Sequence, residues 1–184
     1  RHHRDEAARG VSLGPRSANE IGDPPLSDLM KGKRGLVMGV ANDHSIAWGI
    51  AKTLAGHGAS IALTYQGEGF GRRVRPLAES IGAPIAAPAD VLDPASLDAL
   101  FGVIETQWGG LDFVVHAIAH SDKAELTGRY ADTSRENFLR TMEISCFSFV
   151  DVTRRAATLM HDGGGAITLT YLGAQRVTPN YNVM

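Results

Sequence analysis

The sequence predicts an α/β fold, a Rossmann-like doubly wound parallel sheet with helices on both faces. Short apolar runs alternate with helical patterns four times, and a fifth apolar run follows them. Glycines stand at the ends of several helical patterns, where a left-handed residue commonly stops a helix. The fourth apolar run is almost continuously hydrophobic, which is typical of a parallel strand covered on both faces. These three observations favour right-handed strand–helix–strand crossovers.

The predicted ligand-binding site is centred on the first strand–helix unit, residues 34–49. The apolar residues 36–38 form a short strand, Gly39 permits a sharp turn, and a helix begins near Ser45. Unpaired amides at a helix start attract phosphate groups. The turn departs from the usual G-x-G-x-x-G pattern, because Gly39 and Gly49 stand ten residues apart. Taken alone, it is either a phosphate site or a plain strand-to-helix connection.

The second predicted strand, residues 60–65, ends at Gln66, and a helix over about 71–81 follows it. The tip of this strand meets the adenosine ribose in a doubly wound sheet, and an acidic residue there would bind both hydroxyls. Here the residue is a neutral amide, followed by Arg72 and Arg73. Those arginines indicate either a 2′-phosphate, hence NADP, or a solvated helix face.

The third strand, residues 85–88, leads to Asp90 and Val91. A carboxylate at this strand end either accepts a hydrogen bond from an adenine amino group or serves as a turn residue. Asp93 followed by Pro94 predicts a helix start with an aspartate cap, and the helix continues to about Trp108.

The fourth strand is predicted over residues 112–119. Its small terminal residues Ala117 and Ala119 would let a flat cofactor lie against the backbone. His116 and His120 flank Ile118, but they share no helical face, so we expect no metal site here.

A possible capping box at residues 133–136 predicts a long helix to Met160, and the fifth strand follows over residues 166–170. A mostly apolar stripe of residues at helical spacing fits either the core or a subunit contact. Its members are Phe138, Met142, Ser145, Phe149 and Val152. The single cysteine, Cys146, excludes an internal disulfide, and its apolar neighbours predict a buried thiol.

Composition narrows the class of protein. A chain of 184 residues with 43% hydrophobic residues can bury one core, so we expect one Rossmann domain over residues 29–184 after a flexible arm over residues 1–28. A net charge of −2 leaves no basic excess for nucleic acid. No apolar run is long enough to span a membrane, and the arm lacks a signal-peptide pattern, which indicates a cytoplasmic protein.

Two tyrosines, Tyr171 and Tyr181, follow the carboxyl end of the fifth strand, where ligands bind in such sheets. A phenol can hydrogen-bond a substrate carbonyl and stabilise negative charge that develops on it. The ordinary pKa of a tyrosine phenol is about 10, so its ionisation normally needs a nearby cation. Taken alone, two loop tyrosines are more often packing residues.

From about residue 29 to residue 184, the chain resembles the NADH-dependent enoyl-acyl-carrier-protein reductases of bacterial fatty acid synthesis, a divergent group of short-chain dehydrogenases/reductases. The segments that carry this resemblance are GVANDHSIAWGIA, TYQ, ADV, DFVVHAIA and TYLGAQRVTPNYNVM. The ten-residue spacing of Tyr171 and Tyr181 resembles this group rather than ordinary dehydrogenases of the superfamily.

The resemblance implies a set of site residues and partners. The pyrophosphate would lie at Gly39, Ser45 and Ile46, the adenosine at Gln66, the adenine at Asp90 and Val91, and the nicotinamide half at Ile118. Ser121 would lie at the acyl pocket, Tyr181 would hydrogen-bond the thioester carbonyl, and Tyr171 would line the same pocket. It also implies NADH as cofactor, an enoyl thioester on acyl carrier protein as substrate, and a homotetramer.

The family's catalytic lysine stands seven residues after the second tyrosine, which lies beyond Met184. We therefore expect the chain to be a fragment of a protein of roughly 270 residues, with the C-terminal strands missing and weak or absent activity by itself. Two alternatives remain: a generic short-chain carbonyl reductase, which the tyrosine spacing disfavours, and a non-catalytic nucleotide-binding protein.

Overall fold

The computed structural model of the protein describes residues 27–184. The predicted flexible arm, residues 1–28, lies almost entirely outside the described residues. Within residues 27–184 there are five strands and five α-helices, which alternate except that α4 and α5 both lie between β4 and β5. The strands are β1 Arg34–Met38, β2 Ser60–Tyr65, β3 Ile85–Pro88, β4 Phe113–His116 and β5 Gly165–Thr168. The helices are α1 Ile46–Gly56, α2 Gly67–Ser80, α3 Pro94–Trp108, α4 Arg135–Met142 and α5 Ser148–Ala157.

The strands form one parallel sheet in the order β3-β2-β1-β4-β5, which confirms the predicted doubly wound topology. The first strand, β1, lies at the centre, β2 and β3 add to one side of it, and β4 and β5 add to the other side. Paired residues near the strand ends include Val37 with Leu63, and His116 with both Met38 and Thr168. Because all strands are parallel, their carboxyl ends meet at one edge of the sheet, on either side of the β1–β4 switch point.

The sheet is covered on both faces. Side chains alternate along β1, so that Leu36 and Met38 pack with α3 and α5, whereas Val37 packs with α1 and α2. All three side chains are fully buried. Burying an aliphatic side chain of this size stabilises the fold by about 2 kcal/mol. Within residues 27–184, no helix combines the length and the apolarity that crossing a bilayer requires.

Helix α2 begins at Gly67, four residues before the predicted start near Gly71. The glycines at positions 67, 69 and 71 hid this first turn, since glycine disfavours helix. Gly71 serves packing instead, because a Cβ at this position would lie 2.8 Å from the Tyr65 ring. The absence of a side chain lets the helix lie directly on the end of β2.

Strand β4 ends at His116, three residues before the predicted end at Ala119. The Ala117 amide still donates to the Met38 carbonyl at 3.2 Å, and then the chain leaves the sheet. The apolar character of the last three residues therefore comes from lining a cleft rather than from strand pairing. Strand β5 is likewise displaced, running over Gly165–Thr168 instead of residues 166–170.

The predicted long helix exists, but it is divided and shorter. A five-residue π-helical turn, Glu143–Phe147, separates α4 from α5, and α5 ends at Ala157 rather than at Met160. The apolar stripe splits between environments: Val152 is fully buried in the core, whereas Phe138 and Met142 are exposed. The extra residue of a π turn shifts the helical phase, which a regular spacing cannot anticipate.

Two further predictions on this segment are wrong. Ser134, not Thr133, caps α4 by accepting the Asn137 amide at 3.1 Å, and Glu125 from the preceding loop bonds the Ser134 amide and hydroxyl. A distant carboxylate thus replaces the local capping box. Cys146 is exposed, because it lies on the outer side of the π turn.

Candidate functional site

A cleft of about 290 Å³ lies along the carboxyl edge of the sheet. It is lined by the turns that leave β1, β2, β3 and β4, together with Arg140 and Ile144 from the long helical segment. Five sequence-predicted residues meet in this cleft. They are Gly39, Gln66, Asp90, Val91 and Ile118.

The turn after β1 depends on a close backbone approach. Gly39 has a φ of +97°, and a Cβ at this position would lie 2.0 Å from the Ala117 carbonyl oxygen. A side chain is therefore excluded both by conformation and by space. The turns after β1 and β4 are packed together at the switch point of the sheet, where doubly wound proteins bind ligands.

Ser45 and Ile46 stand beside the cleft rather than in its lining. Helix α1 begins at the predicted position, with Ser45 as its N-cap residue, but the Ser45 side chain does not cap the helix. Instead, the Ser45 hydroxyl accepts the amides of Ala41 and Asn42 at 3.0 and 3.1 Å, which fixes the turn. Ile46 is 71% exposed. The first turn of α1 contains no acidic residue, so its positive dipole end is not neutralised locally.

The tips of β2 and β3 are joined by a polar contact. The Gln66 side-chain amide donates to the Asp90 carboxylate at 3.2 Å, and the same carboxylate accepts the Leu92 amide at 2.9 Å. Gln66 is the N-cap residue of α2 but does not cap it with its side chain, which is engaged with Asp90 instead. The side-chain oxygens of Gln66 and Asp90 thus provide hydrogen-bond acceptors at the β2–β3 end of the cleft.

The arginines after β2 do not line the cleft. Arg72 and Arg73 are both exposed, and the Arg73 guanidinium lies 5.6 Å from the centre of the Phe70 ring. This arrangement favours the interpretation of a solvated helix face. Arg140, by contrast, lines the cleft and is the one lysine or arginine in its lining among the described residues. Sequence reasoning missed Arg140, because a single cation on an amphipathic helix carries no distinguishing signal.

A second, more polar cavity of about 460 Å³ adjoins the cleft and shares His120 and Arg140 with it. Ser121 lies in this second cavity. The Asn137 side-chain amide and the Thr141 hydroxyl contact the Ser121 hydroxyl at 3.2 and 3.0 Å. Both of these partners are buried, so the position of Ser121 is fixed by α4.

The structure brings Tyr171 and Tyr181 together, with ring centroids 5.4 Å apart and a tilt of 58°. They line a separate cavity of about 360 Å³ and not the cleft that contains Ile118. Each tyrosine is 42% exposed. The Asn182 side chain holds their loop by donating to the backbone carbonyls of Glu125 and Thr127, at 3.0 and 3.2 Å.

His116, at the end of β4, is fully buried and bonded through both ring nitrogens. Nε2 lies 2.7 Å from the Ser148 hydroxyl, and Nδ1 lies 3.2 Å from the Thr168 hydroxyl. Ser148 donates to the Ile144 carbonyl, so the bonding pattern assigns the Nε2–H tautomer. Burial lowers the pKa of His116 below its ordinary value. Among residues 27–184, no three potential metal ligands of the His, Cys, Asp or Glu type come together.

A doubly wound parallel sheet with a close-packed glycine turn at its switch point defines this molecule as a Rossmann-type α/β protein. A family model described as enoyl-(acyl carrier protein) reductase matches residues 39–184. The chain belongs to that family.

Individual relatives agree with this assignment. The chain is 61% identical over 159 residues to enoyl-[acyl-carrier-protein] reductase [NADH] 2 of Rhizobium meliloti, covering 86% of this chain and 59% of that protein. It is 51% identical over 156 residues to the Rickettsia felis enoyl-[acyl-carrier-protein] reductase [NADH] FabI, covering 85% and 60%. The chain therefore spans about 60% of the length of these relatives.

Solved structures share the fold. FabI from Candidatus Liberibacter asiaticus has a TM-score of 0.84 at 58% identity, with 86% of this chain and 61% of that chain covered. The enoyl-(acyl-carrier-protein) reductase from Anaplasma phagocytophilum, solved in complex with NAD, has a TM-score of 0.83 at 55% identity, with 85% and 60% covered.

Proposed function

We propose that the protein reduces the 2,3 double bond of enoyl thioesters on acyl carrier protein, with NADH as the reductant, in fatty acid synthesis. The observation that carries this proposal is the cleft at the carboxyl edge, which gathers Gly39, Gln66, Asp90, Val91 and Ile118 from the turns that follow four different strands. The names of the relatives support the same activity, since those of Rhizobium meliloti and Rickettsia felis are enoyl-[acyl-carrier-protein] reductases [NADH].

The described residues fit a dinucleotide. The glycine at position 39 places no side chain directly after β1, and the dipole end of α1 attracts a diphosphate. Ser45 would keep the turn in shape through Ala41 and Asn42, while Ser45 and Ile46 present the helix start. The acceptors on Gln66 and Asp90 suit hydroxyl and amino donors of the adenosine half.

The same acceptors favour NADH over NADPH. A 2′-phosphate near Gln66 would lie close to the Asp90 carboxylate, which is 3.2 Å from the Gln66 amide. Like charges at this range repel each other. Arg72 and Arg73 lie outside the cleft lining and would not offset the repulsion.

When bound, NADH would supply the hydride, which adds to the β-carbon of the enoyl double bond, and Ile118 would contact its nicotinamide half. Tyr181 donates its hydroxyl proton in a hydrogen bond to the thioester carbonyl and stabilises the negative charge that develops there. Tyr171 would line the same pocket, with its ring held against Tyr181. Both rings line the separate cavity of about 360 Å³, so the proposal requires the enoyl thioester to extend from Ile118 in the cleft to that cavity. Ser121 contacts the acyl group from the adjoining cavity.

We also propose that residues 29–184 form the dinucleotide-binding domain of a cytoplasmic homotetramer. An exposed apolar face supports the association, and it consists of Phe138, Leu139, Met142, Phe147 and Val150. We call this the α4–α5 apolar face. Contiguous apolar surfaces of this kind mark interaction sites on soluble proteins.

The test uses two proteins, this chain and a chimaera in which the remaining C-terminal part of the Rhizobium meliloti reductase follows residue 184. We expect the chain to bind NADH, measured by the change in NADH fluorescence. We expect the chimaera to oxidise NADH with a crotonyl thioester.

Variants of the chimaera separate the roles of the two tyrosines. Tyr181→Phe removes the proposed hydrogen bond and should lower kcat by about 10² to 10³. Tyr171→Phe removes a pocket hydroxyl that the proposal does not require for proton donation, so its loss should be much smaller. A chimaera that binds NADH yet reduces no enoyl thioester would contradict the proposed reaction.

A further inference from the structure

The helical segment at the π turn between α4 and α5 contacts two histidines, His116 at the end of β4 and His120 in the loop that follows. Ser148, directly after the turn, bonds the ring of His116 at 2.7 Å. Ser145, within the turn, bonds the backbone of His120. The helix thus holds both the end of β4 and the loop that continues it.

The contact between Ser145 and His120 is reciprocal. The Ser145 hydroxyl accepts the His120 amide at 3.0 Å and donates to the His120 carbonyl at 3.2 Å. One hydroxyl therefore satisfies both polar backbone groups of a loop residue that has left the sheet. Because only backbone atoms of His120 take part, the contact fixes the path of the loop rather than the imidazole.

This loop forms one wall of the cleft. Residues 117–120 all line it, and Ile144, the neighbour of Ser145 in the π turn, lines it as well. Single π turns inside α-helices occur frequently at functional sites. Here the turn directs adjacent side chains to two tasks, Ile144 into the cleft and Ser145 onto the loop.

We propose that Ser145 is a positioning residue that holds the backbone of residues 117–120 against the nicotinamide half of the bound dinucleotide. This inference rests on the proposed function. Gln66 and Asp90 lie on the β2–β3 side of the switch point, which suits the adenosine half. The loop after β4 lies on the opposite side, so the other half of an extended dinucleotide meets it.

The experiment compares the affinities of the chain for NADH and for ADP-ribose, which lacks the nicotinamide ring. Ser145→Ala removes both bonds to His120 and should weaken NADH binding by about tenfold. ADP-ribose affinity should change less than about twofold, because it lacks the nicotinamide ring and its adenosine half lies on the other side of the switch point. Ser145→Thr restores the hydroxyl and should recover most of the NADH affinity.

The matched control is Thr153→Ala on α5, since the Thr153 hydroxyl is buried and has no hydrogen-bond partner within residues 27–184. This variant should bind both ligands like the unmodified chain. Equal weakening of NADH and ADP-ribose in Ser145→Ala, or no weakening of either, would overturn the positioning role. So would a threonine variant as weak as the alanine variant. If the unmodified chain bound neither ligand, the proposed function would fail first, and this inference with it.

Discussion

At Gly39 the backbone after β1 comes so close to Ala117 that any side chain would collide with the Ala117 carbonyl oxygen. We expect Gly39→Ala to lower the free energy of unfolding by at least about 2 kcal/mol, through both the positive φ and the collision. NADH binding should be lost in parallel, because the turn must move. Urea denaturation and NADH fluorescence measure the two effects.

The matched control is Gly102→Ala in the interior of α3, where a Cβ would meet no atom within 4 Å. Alanine is the better helix former, so this variant should gain about 0.5 to 1 kcal/mol. If both substitutions shifted the urea midpoint in the same direction, the argument from the close approach at Gly39 would be wrong.

Arg140 places a positive charge on the wall shared by the cleft and the adjoining polar cavity. A dinucleotide diphosphate carries negative charge, and the attraction weakens with added salt. We expect Arg140→Gln to weaken NADH binding about three- to tenfold and to reduce its salt dependence. Arg135→Gln, on the first turn of α4 and outside both linings, should leave the affinity and its salt dependence unchanged. Binding titrations at low and high salt would contradict the role of Arg140 if the two variants behaved alike.

At the scale of elements, His116 ties β4 to β5 through Thr168 and to α5 through Ser148. Burial lowers its pKa in the folded state, so the unfolded chain binds more protons in the range between the folded and unfolded pKa values. The contribution of the neutral His116 ring to the free energy of unfolding is therefore complete above the ordinary histidine pKa of 6.5. It is lost as the pH falls below that value.

The corresponding prediction concerns the pH dependence of stability. His116→Gln cannot titrate, so its free energy of unfolding should fall less steeply than that of the unmodified chain between about pH 7 and pH 5.5. Val152→Ala, which removes buried apolar volume from α5, should lower stability by a similar amount at each pH and keep the original slope. Equal slopes for all three proteins would show that His116 does not carry the effect.

The sequence could predict elements whose signals are local. The second strand ends at Tyr65 as expected, and Asp93 with Pro94 starts α3 with the aspartate bonded to the Ala95 amide. It could not predict what depends on distant partners. Glu125 replaces the local capping box at Ser134, and the Tyr65 ring explains the glycine at position 71. The π turn is invisible to a fixed helical period, so the exposure of Cys146 was mispredicted.

The same distinction applies to the site. Residues at strand ends, such as Gln66 and Asp90, could be placed from topology alone, because parallel strands end at one edge. Arg140 reaches the cleft from α4, a helix that is distant in sequence from the first three strand ends that line the cleft. Only the packing of that helix beside the β4 loop reveals it. The separation of the tyrosine cavity from the cleft likewise depends on the loop geometry after β5.

At the scale of the whole molecule, the α4–α5 apolar face includes Phe147 and Val150, which are each 59% exposed. We expect the chain to self-associate through this face, since an apolar surface in water favours burial. Val150→Glu should shift the mass distribution in sedimentation velocity towards the monomer. Leu29→Glu changes a residue that is 78% exposed outside this face and should not alter it. Unchanged association in Val150→Glu would exclude this face.

The strand order also has a consequence for how the chain folds. Because β1 is central and pairs first with β2, the segment from β1 to β3 completes its strand contacts before β4 is required. Strands β4 and β5 then add to the free side of β1, through pairings about 80 residues apart in sequence for β1 and β4. During synthesis on the ribosome, the proposed adenosine side of the cleft can therefore assemble while the proposed nicotinamide side is still being translated.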